Sequence, residues 1–132
     1  MKLIDSNIFL EVLLDQSKSE NCEKFLNKIA ANKEQAIITD FTVDAICVVL
    51  GRETKNPKLI RQFLTSLFGY VGLKNYITTI QDKFLATKLM EEQMLDFDDA
   101  LTLQAVYSNN IRQIVSYDKH FDKVKDIERI EP

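Results

Sequence analysis

The 132-residue chain has no tryptophan, one histidine, two cysteines, three glycines and two prolines. With His120 as the only imidazole, chemistry built on several histidines is excluded. Cys22 and Cys47 lack CxxC spacing and make neither a zinc site nor a disulfide framework. Both fall in apolar helical patterns and read as small buried hydrophobes, which suits a reducing cytoplasm. Long hydrophobic runs are missing too. The longest, Ala45 to Leu50, is far short of the roughly 20 residues that span a bilayer. Asp5 interrupts the apolar start, so neither a secretory leader nor a membrane segment is expected.

An excess of base is also absent. Seventeen basic residues stand against 20 acidic ones, for a net charge of −3. Proteins that hold nucleic acid by bulk charge are basic. Any such contact here must use a local patch or bound cations. There is no P-loop, no GxGxxG and no Asp-x-Asp near the start of the aspartate-phosphatase kind. The acidic pair and late lysine of a receiver domain are not evident.

What is present is a 45% apolar composition at the usual length of one domain, residues 1–132, with no repeats and no long linker. Lys2-Leu3-Ile4 reads as a buried first strand ending at Asp5. Asp5, Ser6 or Asn7 then caps a short helix. Cys22, Phe25, Leu26, Ile29 and Ala30 form an amphipathic stripe. Ala36 to Ile38 is a second strand, and Thr39 or Asp40 caps a helix running to about Leu50, with Gly51 as its end signal. Leu59, Ile60, Phe63, Leu64 and Leu67 share one face of the next helix. Tyr76 to Thr79 reads as a third strand, followed by a helix from Gln81 to Met94 with Ile80, Phe84, Leu85 and Leu89 inward. Asp96 and Asp99 have capping-box spacing before a helix, Ala100 to Tyr107, that is apolar nearly all round and therefore central. Gln113 to Ser116 is a fourth strand and Ile127 to Ile130 an edge strand. Alternating strands and helices imply an α/β fold with a mainly parallel sheet covered on both faces.

In such sheets ligands bind beyond the C-terminal strand ends. Asp5 and Asp118 lie at or just past two of those ends, and Asp99 and Asp44 lie in the first turns of helices facing the same rim. Clustered carboxylates repel unless protons or cations neutralise them. Hard oxygen donors suit Mg²⁺ or Mn²⁺, which also bind phosphate oxygens. Each acid has a plainer alternative. Asp5 can simply cap a helix, Asp99 can answer the helix dipole, Asp118 can be a turn residue, and Asp44 can sit on a solvated face. Asp96 reads as a cap, Asp98 as a solvated first-turn acid and His120 as an exposed turn residue. Arg52, Lys55, Lys58 and Arg61 form a basic stretch, either a solvated face or an edge that contacts phosphates.

Asp5-Ser6-Asn7 after the first strand resembles the opening motif of PIN domains. Leu95-Asp96-Phe97-Asp98-Asp99-Ala100-Leu101 is similar to their third motif, and Ile114 to Phe121, with its Ser116-Tyr117-Asp118, to their fourth. The motifs occur in the right order and cover essentially the whole chain. The resemblance implies a three-layer α/β/α sandwich and an Mg²⁺- or Mn²⁺-dependent endoribonuclease. It further implies a toxin of the VapC type, a homodimer held inactive by an antitoxin. By motif match, Asp5, Asp99 and Asp118 take the metal-binding acidic positions, and Asn7 and Ser116 the supporting polar ones. The second motif departs from the pattern. Thr42-Val43-Asp44-Ala45 puts Ala45 where the family has glutamate, and Asp44, one residue early, points about 100° away. Asp44 is therefore nominated as an assisting catalytic acid, on a face it shares with Asp40. The missing glutamate also supports the alternative of a PIN-like RNA- or protein-binding module with little or no catalysis.

Overall fold

The computed structural model describes residues 1–132. Five strands, β1 Lys2–Ile4, β2 Ala36–Thr39, β3 Leu73–Tyr76, β4 Gln113–Val115 and β5 Glu128–Ile130, form one sheet in the order β3-β2-β1-β4-β5. Every neighbouring pair is parallel. Six helices accompany them: α1 Ser6–Leu13, α2 Ser19–Ala30, α3 Asp40–Thr54, α4 Pro57–Leu67, α5 Ile80–Gln93 and α6 Phe97–Ser108. A 3₁₀ turn, Lys119–Lys123, precedes β5.

Alternation along the strands explains the layers. Ile4, Ile38 and Val115 point to one side, into a core with Ile8, Cys22, Leu26, Ile46 and Phe63 from α1 to α4. Leu3, Ile37 and Ile114 point to the other, against Ala105 and Val106 of α6. The central strands are thus apolar on both faces, as a doubly covered parallel sheet requires. Helix α6 is buried on every side from Ala100 to Val106, and its all-round apolar sequence follows from that position. This is the three-layer α/β/α sandwich expected from the sequence.

The chain builds outward from β1 through β2 to β3, then returns to the other side of β1 to lay down β4 and β5. The connection direction therefore reverses between β1 and β4. A crevice opens at such a point, beyond the strand carboxyl ends.

Several local expectations need correction. The third strand is Leu73–Tyr76 rather than Tyr76 to Thr79. Its register, Ala36 opposite Leu73 through Thr39 opposite Tyr76, brings Tyr76 level with the end of β2. Thr79 is taken by a reciprocal capping box with Asp82 at the start of α5. That cap sets the phase of α5 so that Asp82, Ala86 and Leu89 face inward, while Ile80 and Phe84 are exposed. Gly51 lies inside α3, which continues to Thr54 and ends where Lys55 takes a left-handed conformation (φ 51°). Leu64 on α4 is more exposed than its one-face spacing suggested. Gly72 is needed for close approach rather than for φ. Its amide donates to the Ile29 carbonyl at 2.9 Å, and a Cβ there would overlap the carbonyl oxygens of Glu34 and Ile29.

Candidate metal centre

Asp5 leaves β1 and becomes the N-cap of α1, its Oδ1 accepting the Ser6 amide at 2.7 Å. Its Oδ2 accepts Asn7 Nδ2 at 2.9 Å and the Ser116 hydroxyl at 2.6 Å. Ser116, fully buried just after β4, also accepts Asn7 Nδ2 at 3.0 Å and the Asp118 amide at 2.9 Å. One hydroxyl proton and two lone pairs are thereby all in use. Asn7 completes the frame by accepting the Tyr117 amide at 3.2 Å through its Oδ1. The two polar residues expected to support the acids thus tie the ends of β1 and β4 together, and Asp5 is both a helix cap and a member of the rim.

Asp118 opens the 3₁₀ turn, accepting the His120 amide at 2.9 Å. That turn swings the His120 ring back over the rim, where Nδ1 lies 3.1 Å from Asp118 Oδ1 and 3.2 Å from Asp99 Oδ2. Asp99, in the first turn of α6, is largely shielded. The expected capping box of Asp96 with Asp99 does not form. Asp96 is the N-cap but makes no side-chain capping bond, and the Asp99 carboxylate faces His120 instead. One donor atom each from Asp99, Asp118 and His120 lies within 4.8 Å of the others.

The charges are poorly compensated. The Asp99 carboxyl is pushed up to about 6, chiefly by burial, then by the negative charges of Asp118 and Asp98. Burial also raises the Asp5 carboxyl, against the opposing hydrogen bond from Ser116. His120 is held above its ordinary value by the Asp99 hydrogen bond and by Asp118. No lysine or arginine pairs with any of the three carboxylates, and His120 is their only ion-pair partner. A set of oxygens rich in negative charge and without fixed counter-cations fits a divalent cation.

A small cavity of about 50 Å³ beside this cluster is lined by Asp5, Ser6, Phe41, Thr42, Ala45, Asp98, Asp99 and Thr102. Ala45, not Asp44, looks into it. Asp44 is exposed one residue round the helix. Asp40 is turned away as well, accepting the Thr78 amide and hydroxyl at 2.9 Å each. The structure therefore gathers Asp5, Asp99, Asp118, Asn7 and Ser116 but leaves Asp44 outside the group. Asp98, read as a solvated acid, is exposed and borders the cavity. Arg52, Lys55, Lys58 and Arg61 are all exposed around the α3–α4 junction. Lys55 is ten residues beyond Ala45, about 15 Å along the helix axis from the rim. His120 is the exposed turn residue that its sequence suggested, and beyond that its ring meets Asp99 and Asp118. Its spacing two residues after Asp118, on a turn capped by that same residue, was the available signal for the second of these contacts.

The family model described as PIN domain matches residues 2–120. Among solved structures, the Mycobacterium tuberculosis VapC20 toxin, described as cleaving the sarcin-ricin loop, superposes with a TM-score of 0.78 at 12% identity, covering 100% of both chains. A toxin-antitoxin complex from Klebsiella pneumoniae gives 0.73 at 13% identity, covering 97% of this chain and 96% of that one. VapBC2 from Rickettsia felis, bound to a DNA fragment from its promoter, gives 0.71 at 14% identity and covers 98% and 97%. These likenesses are of fold. No curated protein matches the sequence.

Proposed function

The chain belongs to the PIN domain family, and from that premise we propose that it is a divalent-metal-dependent endoribonuclease, the toxin of a toxin–antitoxin pair. The observation that carries the reading is the convergence of Asp5, Asp99 and Asp118, from three separated segments, on the crevice where the sheet reverses direction. Asp99 and Asp118, with Asp5 beside them, would hold Mg²⁺ or Mn²⁺. When bound, such an ion supplies an activated water and neutralises charge on the reacting phosphate. Ser116 and Asn7 fix the direction of the Asp5 carboxylate, and Asp118 is fixed by its own turn. Water attacks the RNA phosphodiester in line, leaving a 3′-hydroxyl and a 5′-phosphate. Catalysis of this kind rests on positioning and charge stabilisation. The basic junction of Arg52, Lys55, Lys58 and Arg61 would hold the flanking phosphates without reading sequence.

An antitoxin and a second copy of the chain are the protein partners in this reading. Phe68, Ile77, Ile80 and Phe84 are exposed, and Leu64, Leu67, Phe68 and Leu73 line an apolar groove of about 500 Å³. This is surface that partners would cover. No helix is long and apolar enough to cross a membrane, which is compatible with a cytoplasmic site of action.

The test is cleavage of a mixed single-stranded RNA pool by purified protein with Mn²⁺, Mg²⁺ or EDTA, beside Asp99→Asn. Metal-dependent cutting that disappears in the variant supports the reading. One observation favours a second: Ala45 lines the cavity where an acid would complete the set. A folded protein that cuts under no condition, and carries no co-purified inhibitor, would be a PIN-like RNA- or protein-binding module.

A further inference from the structure

Resting on that reading of the site, we propose that His120 is a ligand of the bound ion, and that its imidazole makes the centre select Mn²⁺ over Mg²⁺. Three observations carry this. The His120 Nδ1 lies 3.2 Å from Asp99 Oδ2 and 3.1 Å from Asp118 Oδ1. Ligands about 2.1 Å from one ion in an octahedral shell are separated by about 3 Å along each edge, so the imidazole nitrogen already stands at ligand spacing from both carboxylates. Next, the ring is held there by its own backbone. The His120 amide is bonded to Asp118, so the residue that offers one carboxylate also fixes the turn that presents the imidazole. Lastly, Ala45 lines the small cavity beside Asp99 at the position expected to carry an acid, so the oxygen set is one donor short and a nitrogen donor adds to it.

The consequence follows from ligand chemistry. Carboxylates, carbonyls and water suit Mg²⁺ and Mn²⁺ alike, whereas an imidazole nitrogen adds affinity for first-row transition ions, Mn²⁺ the least of them, and not for Mg²⁺. A site of two carboxylates and one imidazole, with Asp5 alongside, therefore gains for Mn²⁺ and gains little for Mg²⁺. The rest of the ring is open, with His120 65% exposed at its side chain, so substitution there disturbs little packing.

Pulsed EPR of Mn²⁺ bound to the whole protein tests the ligand directly, with calorimetric titration of Mn²⁺ and Mg²⁺ alongside. The wild type should show nitrogen hyperfine coupling to Mn²⁺ that is absent in His120→Ala. His120→Asp should lower the preference for Mn²⁺ over Mg²⁺ by about tenfold. If Mn²⁺ binds without nitrogen coupling, or if both variants keep the wild-type preference, His120 is only a counter-cation and the inference fails, while the nuclease reading stands. If the wild type binds no divalent ion at all, both fail together.

Discussion

Replacing Asp99 by asparagine should make the metal-free protein more stable while removing its ability to gain from metal. Burial and the neighbouring charges of Asp118 and Asp98 carry the Asp99 carboxyl from 3.8 to about 6. At full strength that difference is about 3 kcal/mol, and water reaching the half-open rim screens it to about 1 kcal/mol. The folded protein binds the proton more tightly than the unfolded chain. The ionised form is therefore penalised in the fold, and the penalty appears as pH rises from about 4 through about 6. Asparagine has nearly the shape of the protonated carboxyl and escapes that penalty. In urea titrations with EDTA, Asp99→Asn and wild type should be equally stable near pH 4, and the variant ahead by about 1 kcal/mol at pH 7. Comparing the two at each pH cancels the carboxylates held low in the fold, such as Asp40 and Asp82. Adding Mn²⁺ should reverse the order, because an ion at one hundred times its dissociation constant stabilises the wild type by about 2.7 kcal/mol. A variant that is less stable than wild type in EDTA at pH 7 would refute the account of strain at the rim.

Other perturbations probe separate parts. Ala45→Glu, which puts a carboxylate into the small cavity, should tighten Mn²⁺ binding by about tenfold in calorimetry, and unchanged affinity would show that α3 does not face the ion. Ser116→Ala strips one hydrogen bond each from Asp5, Asn7 and the Asp118 amide. It should cost about 1–3 kcal/mol in urea denaturation, and a neutral result would mean the frame is held elsewhere. Gly72→Ala should cost about 1–3 kcal/mol by overpacking against the Glu34 and Ile29 carbonyls, measured the same way. Arg52→Glu with Lys55→Glu should weaken RNA binding and flatten its salt dependence by about one to two in log–log slope, with Mn²⁺ affinity untouched. An unaltered slope would leave those residues as a solvated face.

Much of this was legible in the residues because the relevant signals are local. Short apolar runs such as Leu3-Ile4 and Ile114-Val115, set among helical patterns, fit strands buried on both faces of a parallel sheet. An acid directly after such a run sits on the ligand-binding rim wherever the strand is placed. That is why Asp5 and Asp118 could be placed at the rim before any coordinate, whereas Asn7 and Ser116 came from the resemblance of their motifs to those of PIN domains. What escaped depends on contacts distant in sequence. The capping box that phases α5 is completed from outside the helix by Tyr76 and Ser108, which donate to the buried Asp82 at 2.8 Å and 2.6 Å. Apolar spacing alone pointed to Ile80 and Phe84. The place of β3 is decided by its register against β2 rather than by β propensity, since Leu73-Lys74-Asn75 has little. His120 is the turn residue it looked like, but its contact with Asp99, 21 residues away, has no local signal. That alanine stands at position 45, where the family has glutamate, was visible in the sequence, but only the fold shows Ala45 on the cavity wall and Asp44 outside it.

The proposed nuclease depends on a divalent ion held by the acids at the crevice between β1 and β4. Anomalous diffraction from crystals of the protein grown with Mn²⁺ tests it most directly. A peak is expected within about 2.2 Å of carboxylate oxygens of Asp99 and Asp118, lost in Asp99→Asn. Well-diffracting crystals with no peak at that rim, or with Mn²⁺ bound only elsewhere, would contradict it.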